Sequence, residues 1–139
     1  MGDIKIQITS TFENETQKTK DFGETFQSIN PMFSFSQQVW TPLMDILETY
    51  DAIIIKSELA GVKEENILIE LEKNSLKISG QRHSYKLSKE TTYRLVEIQF
   101  GQFERVVYLS SLINPNKVSA QFSNGFLEIT LGKKVKSTK

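Results

Sequence analysis

The sequence predicts an all-β domain, an antiparallel β-sandwich, set between a Phe-rich N-terminal region and a short C-terminal tail. Three observations predict it. From Thr41 to Leu131 the chain breaks into short runs that are dense in β-branched residues or alternate apolar with polar. Turn residues built on Gly and Asn separate these runs. No long helical period interrupts them, and short strands at such spacing pair into layered antiparallel sheets.

The first element lies outside this stretch. Ile4-Lys5-Ile6-Gln7-Ile8 alternates apolar and polar residues, the mark of a half-buried strand. The residues that follow are too polar and broken to supply its neighbour, so the strand must pair with something further along. Residues 1–40 are rich in Gln, Thr, Ser and Glu, yet they carry Phe12, Phe22, Phe26, Phe33 and Phe35, five of the nine phenylalanines. Asp21 followed by Glu24 resembles a capping box, and Phe22, Phe26 and Ile29 then share one helical face. Such a helix is short, because Gly23 weakens it and Asn30-Pro31 stops it. The expectation is a flexible region with apolar side chains on a polar thread.

The β-domain is expected over residues 41–132. Strands are predicted at residues 45–48 and 52–59, with Ala60-Gly61 as a turn. Residues 66–72 place Ile67, Ile69 and Leu71 on one face, Lys73-Asn74-Ser75 turns, and residues 76–79 return with Leu76 and Ile78 inward. A polar stretch runs from residue 81 to 92. Strands resume at residues 93–100 and 102–109, and Asn114-Pro115-Asn116 reads as a strong turn. The last hairpin joins residues 118–122 to 126–131 through Asn124-Gly125, which supply the positive φ of a tight turn. Gly80 and Gly101 read as turn or strand-end glycines. Residues 133–139 are expected to form a disordered tail, since four lysines crowd the last eight residues.

Composition narrows function. Lys plus Arg and Asp plus Glu balance at 17 each, so the net charge is zero. There is no basic excess of the kind a nucleic-acid binder carries, and little charge repulsion opposes self-association. The absence of cysteine removes thiolate metal sites and cysteine nucleophiles. His83 is the sole histidine, and one imidazole without Cys cannot build a common zinc site. The carboxylates of Glu64, Glu65, Glu70 and Glu72 read as a solvated face. No phosphate loop, nucleophile elbow or dinucleotide fingerprint is present. No enzyme, cofactor or metal is expected, nor any membrane or nucleic-acid partner. A reducing, cytoplasmic compartment suits the chain.

Four segments in order carry a family resemblance over residues 40–132: "WTPLMDILET", "ELAGVKEENILIELEKNSLKISGQR", "GQFERVVYL" and "AQFSNGFLEITL". Together they resemble the α-crystallin domain of small heat shock proteins, of the non-animal type, whose fold is an immunoglobulin-like sandwich. The sequence departs from the family's pattern in several places. Ala60 and Ser110 stand where prolines are usual, Ile98 stands where an Arg often follows the Glu, and Val135 is alone where the family carries a C-terminal Ile-x-Ile or Ile-x-Val motif.

What the resemblance implies is an ATP-independent holdase that binds partly unfolded client proteins and prevents their aggregation under stress. Its client contacts would be Phe22, Phe26, Ile29, Met32, Phe33, Phe35 and Trp40. It also implies a homodimer, alone or within a larger oligomer, in which the strand at residues 93–100 swaps across to residues 45–48 of a second copy. Asp45, Ile46, Tyr93, Leu95 and Val96 would form that interface, with Arg94, Glu97 and Arg105 as polar contacts. In relatives the C-terminal motif docks in a groove at the sandwich edge. Here Ile4, Ile6 and Ile8 would fill it, against walls from Ile53, Ile55, Leu127, Ile129 and Leu131. The competing expectation is a co-chaperone-type sandwich that docks on one specific protein. A peptide- or carbohydrate-binding sandwich, which needs an exposed aromatic platform on the sheet, is disfavoured because five of the nine phenylalanines and the sole tryptophan precede residue 41.

Overall fold

The computed structural model describes residues 4–9 and 39–135. Eight strands form two sheets of four: β1 (Lys5–Ile8), β2 (Met44–Glu48), β3 (Ala52–Glu58), β4 (Ile67–Leu71), β5 (Ser75–Arg82), β6 (Gly101–Tyr108), β7 (Ile113–Ser123) and β8 (Phe126–Lys133). The order is β1-β4-β5-β6 in the first sheet and β2-β3-β8-β7 in the second. All pairings are antiparallel except that of β1 with β4. One 3-10 turn (Glu64–Asn66) leads into β4.

The alternation in the sequence becomes the two faces of each strand. Ile67, Ile69 and Leu71 of β4, Leu76 and Ile78 of β5, and Phe103 and Val107 of β6 point inward. They meet Ile53 and Ile55 of β3 and Leu127, Ile129 and Leu131 of β8 in one buried cluster. On the outer face Lys77 lies 3.2 Å from Glu70 and 3.8 Å from Glu104, a cross-strand charge row in contact with water. The Asn124-Gly125 turn has positive φ at both residues (54° and 83°), the geometry that lets two residues reverse a twisted ladder.

Four expectations need correction. Asn114-Pro115-Asn116 does not end a strand; it lies inside β7, where the register against β8 shifts between Ile113 and Val118. Pro115 is tolerated because β7 is an edge strand, and the Asn114 side chain accepts the Asn116 N–H (3.0 Å). Gly80 is not at a strand end. It sits within β5 between Ile67 and Phe103, and a Cβ there would lie 2.6 Å from the Phe103 ring and closer still to the Asn66 carbonyl oxygen. Residues 93–100 form no ladder with any other described residue; they belong to a long arm, residues 83–100, between β5 and β6. Lys133, expected in the tail, is the last residue of β8, and the Lys134 N–H donates to the Leu112 carbonyl. The expected helix around Phe22 to Ile29 lies outside the described residues.

Candidate binding surfaces: the sheet edges and the arm

The sandwich has no cleft lined by convergent catalytic groups. His83 is exposed, and no group of three or more His, Cys, Asp or Glu able to hold a metal occurs among the described residues. What the fold offers are strand edges.

The first is the edge of β4, which β1 covers. Lys5, Ile6, Gln7 and Ile8 stand opposite Leu68, Ile69, Glu70 and Leu71. Thr9 extends the pairing, its N–H donating to the Leu71 carbonyl at 2.9 Å and its hydroxyl to the same oxygen at 3.2 Å. Ile4 and Ile6 are half-buried against the central cluster, while Ile8 remains 45% exposed. Val118, Ala120 and Phe122 of β7 pack against the same cluster from the second sheet. The walls expected for this strand are elsewhere. Ile53, Ile55, Leu127, Ile129 and Leu131 belong to β3 and β8, the two central strands of the second sheet, and each is 2% exposed or less. Alternation marks which face of a strand is inward, but not whether the strand is central or at an edge.

The second edge is β2. Among the described residues its one ladder is with β3, and its Ile46 is 55% exposed. Asp45 is exposed beside it. At the end of β2, Glu48 accepts from the Lys133 ammonium (2.6 Å) and the Ser110 hydroxyl (3.2 Å). The hydrogen bond and charge of Lys133, with Ser110 adding to them, hold the Glu48 carboxyl below its ordinary pKa. Lys133 also donates to the Thr49 carbonyl at 2.7 Å, so the end of β8 is tied to the end of β2.

The arm carries Tyr93, Arg94, Leu95, Val96 and Glu97, all exposed, with Leu95 at 73%. The chain does not bring them onto β2 through any ladder of its own. Partial desolvation, then the adjacent Tyr85, which also hydrogen-bonds it, raise the Tyr93 phenol pKa. Arg105, expected at the same interface, is engaged within the chain and donates to the Pro42 carbonyl at 3.1 Å.

Of the expected client contacts, Phe22, Phe26, Ile29, Met32, Phe33 and Phe35 lie outside the described residues. Trp40 is described, and it is not a free surface. It is 8% exposed and joins the core, with its ring 5.3 Å from that of Phe103 and its indole N–H on the Gly101 carbonyl (3.1 Å). A bridge of backbone hydrogen bonds ties it to β6 at Gln102 and Glu104. Burial satisfies both ends of an amphipathic indole, which is why it leaves the thread and seats in the sandwich.

Sequence reasoning missed Arg82 as more than a motif residue. Its guanidinium stacks on Trp40, 4.1 Å from the ring centroid, and donates to the Gln99 carbonyl at the end of the arm and to the Ala60 carbonyl in the turn after β3. The signal available was an Arg beside a long polar stretch that ends in an aromatic.

Comparison with known proteins agrees with this architecture. The model of the Hsp20/alpha crystallin family matches residues 45–139. The chain is 33% identical to the 17.8 kDa class I heat shock protein of Arabidopsis thaliana over 133 residues, covering 81% of this chain and 85% of that protein. It is 32% identical to small heat shock protein C2 of Rickettsia felis over 114 residues, covering 82% and 73%. Among solved structures, heat shock protein 16.0 from Schizosaccharomyces pombe superposes with a TM-score of 0.64 at 33% identity, covering 72% of this chain and 93% of that one. A small heat shock protein from Xylella fastidiosa does so with a TM-score of 0.65 at 25% identity, covering 73% and 94%. Two sheets in this strand order, with edges in place of a catalytic cleft and a family model matched across the sandwich, make the chain a member of the small heat shock proteins, the Hsp20/alpha crystallin family.

Proposed function

We propose that this chain is an ATP-independent holdase, which binds partly unfolded proteins through apolar surface and keeps them from aggregating. The observation that carries the reading is the matched α-crystallin sandwich presenting strand edges and exposed apolar side chains where an enzyme would present a cleft. Heat exposes apolar surface on a client, and covering it is favourable by about 25 cal/mol per Å². The Phe-rich segment before residue 39, with Phe22, Phe26, Ile29, Met32, Phe33 and Phe35, is proposed as the client-contact region. The test is light scattering from a heat-labile client without ATP. The full chain suppresses scattering at near-equal subunit ratios, and a variant with these six residues changed to Ser loses most of that effect. Unchanged scattering with the full chain, at temperatures where it stays folded, refutes the holdase and favours docking on one specific partner.

The working unit is proposed to be a dimer in which residues 93–97 of the arm pair with β2 of a second copy. What supports this is an edge strand with an unpaired side, an arm with exposed apolar residues, and zero net charge. A mass measurement tests it: Leu95→Asp gives a monomer, and a Leu95→Asp chain that stays dimeric refutes it.

The edge of β4 is proposed as a peptide groove for which β1 is the built-in occupant, Ile4 and Ile6 acting as the two knobs. Deleting residues 1–9 then exposes the groove and changes the oligomer mass; an unchanged mass denies the strand any role in assembly.

A further inference from the structure

We infer that Arg82 is the positioning residue of the 83–100 arm, holding it ready to pair with a second copy of this chain. The inference rests on the dimer proposed above and names what prepares the chain for it.

Arg82 ends β5, and its partner across the ladder is Gly101, the first residue of β6. The arm therefore leaves and returns at a single rung. One guanidinium ties the returning foot of the arm, at Gln99, to the turn that follows β3, at Ala60. Its Nε donates to the Gln99 carbonyl at 2.9 Å, Nη2 donates to the same oxygen, and Nη1 donates to the Ala60 carbonyl at 3.1 Å. Its Cζ lies 4.1 Å from the Trp40 ring centroid and 5.4 Å from that of Phe100. The row continues outward. Phe100 meets Tyr85 edge-on at 5.5 Å, and Tyr85 and Tyr93 line one small pocket with Phe100. Inward, Trp40 rests on Phe103 at 5.3 Å. A line of side chains thus runs outward from the core to Phe100 and Tyr85, and Arg82 is the link in it that binds the backbone of the arm.

Only an arginine can fill this place. The planar fork reaches two carbonyls while its face stacks on a ring; an ammonium can neutralise charge there but cannot do both. Without the clasp the arm has neither helix nor ladder to order it, and its ordering is deferred to the moment of pairing, which weakens association. Arg82 itself is only half-buried, so water can take over its carbonyl partners, and the sandwich core does not depend on it. A second copy is the occupant these surfaces fit. Leu95, Val96 and Ile98 are exposed on the arm, Ile46 and Leu47 are exposed on the open edge of β2, and the chain carries no net charge to keep copies apart.

The experiment uses the full chain as wild type, Arg82→Lys, Arg82→Gln, Phe100→Leu and Leu95→Asp. Sedimentation across a dilution series gives the dimer Kd, urea unfolding followed by Trp40 fluorescence gives domain stability, and hydrogen exchange in the Leu95→Asp background reads arm order in the monomer. Both Arg82 variants are expected to raise Kd about ten- to a hundredfold. Phe100→Leu acts in the same direction and less strongly. Exchange is expected to quicken across residues 84–98 and to stay unchanged in β3, β4 and β5. An Arg82→Lys chain that dimerises as tightly as wild type overturns the inference, since charge alone then suffices. So does a rise in Kd matched by equal loss of domain stability with Phe100→Leu silent, which makes Arg82 a structural residue only. If Leu95→Asp leaves the dimer intact, the arm is not the interface, and the dimer reading falls together with the inference.

Discussion

Ile6→Asp is expected to destabilise the protein by no more than removing the whole of β1 does. Ile6 is half-buried against the central cluster, opposite Ile69. Burying a large aliphatic side chain fully is worth about 1.5–3 kcal/mol, so Ile4 and Ile6 together contribute about 2 kcal/mol. The backbone hydrogen bonds of β1 and the cost of ordering its residues are of similar size and opposite sign, which leaves docking worth about 1–3 kcal/mol. A carboxylate held against that cluster would cost more than the strand gains by staying. The strand leaves, and the loss stops at the docking free energy. Urea unfolding followed by the fluorescence of Trp40, the only tryptophan, measures this for wild type, Ile6→Asp, the chain lacking residues 1–9, and Lys5→Asp, whose side chain is exposed. Ile6→Asp and the deletion are expected to coincide, and Lys5→Asp to follow wild type. If Ile6→Asp costs clearly more than the deletion, the strand cannot leave and the reasoning is wrong. If the deletion costs nothing, β1 holds no part of the stability.

Gly80→Ala is expected to cost about 1–3 kcal/mol or more, seen as a lower urea midpoint at unchanged slope, because the new methyl must displace the Phe103 ring and the Asn66 carbonyl; a silent variant would mean that β4 and β6 part easily. Glu48 has a lowered folded pKa, so its contribution is fully present above the ordinary carboxylate pKa and is lost as pH falls through the lowered value. Glu48→Gln should remove that acid-side part of the Tm profile, and added salt should shrink it in wild type; identical profiles for both chains would leave the Lys133 pair without effect. Asn124→Val should lower stability by about 1–2 kcal/mol through its positive φ, whereas Asn124→Gly stays near wild type, and equal losses for both would point to the side chain instead.

Much of the fold was legible because alternation is a local signal. Ile67, Ile69 and Leu71 announce their inward face without reference to any other strand, and Asn124-Gly125 announces its turn by the φ values it permits. What could not be read depends on neighbours. Pro115 looks like a terminator until β7 is known to lie at an edge, where a missing N–H leaves no ladder broken. Ile53 and Leu131 look like possible groove walls until the strand order sets them in the middle of a sheet. Gly80 looks incidental until Phe103 is seen against it. Residues 93–100 have the composition of a strand, but a strand needs a partner, and the described residues of one copy pair none with them. Arg82 escaped because stacking on Trp40 joins residues far apart in sequence, and no local pattern encodes such a meeting.

The parallel pairing of β1 has a topological consequence. The chain is fixed at Thr9 on the β4 side of the first sheet and again at Trp40 on β6, the opposite margin of the same sheet. Thr9 and Trp40 are therefore two anchors on opposite margins of one sheet. Closing a loop restricts the chain only logarithmically in its length, so the restraint is mild, yet it is removed all at once when four paired residues let go. Release of β1 would bare the edge of β4 and remove one of these two anchors together, two changes governed by one small strand.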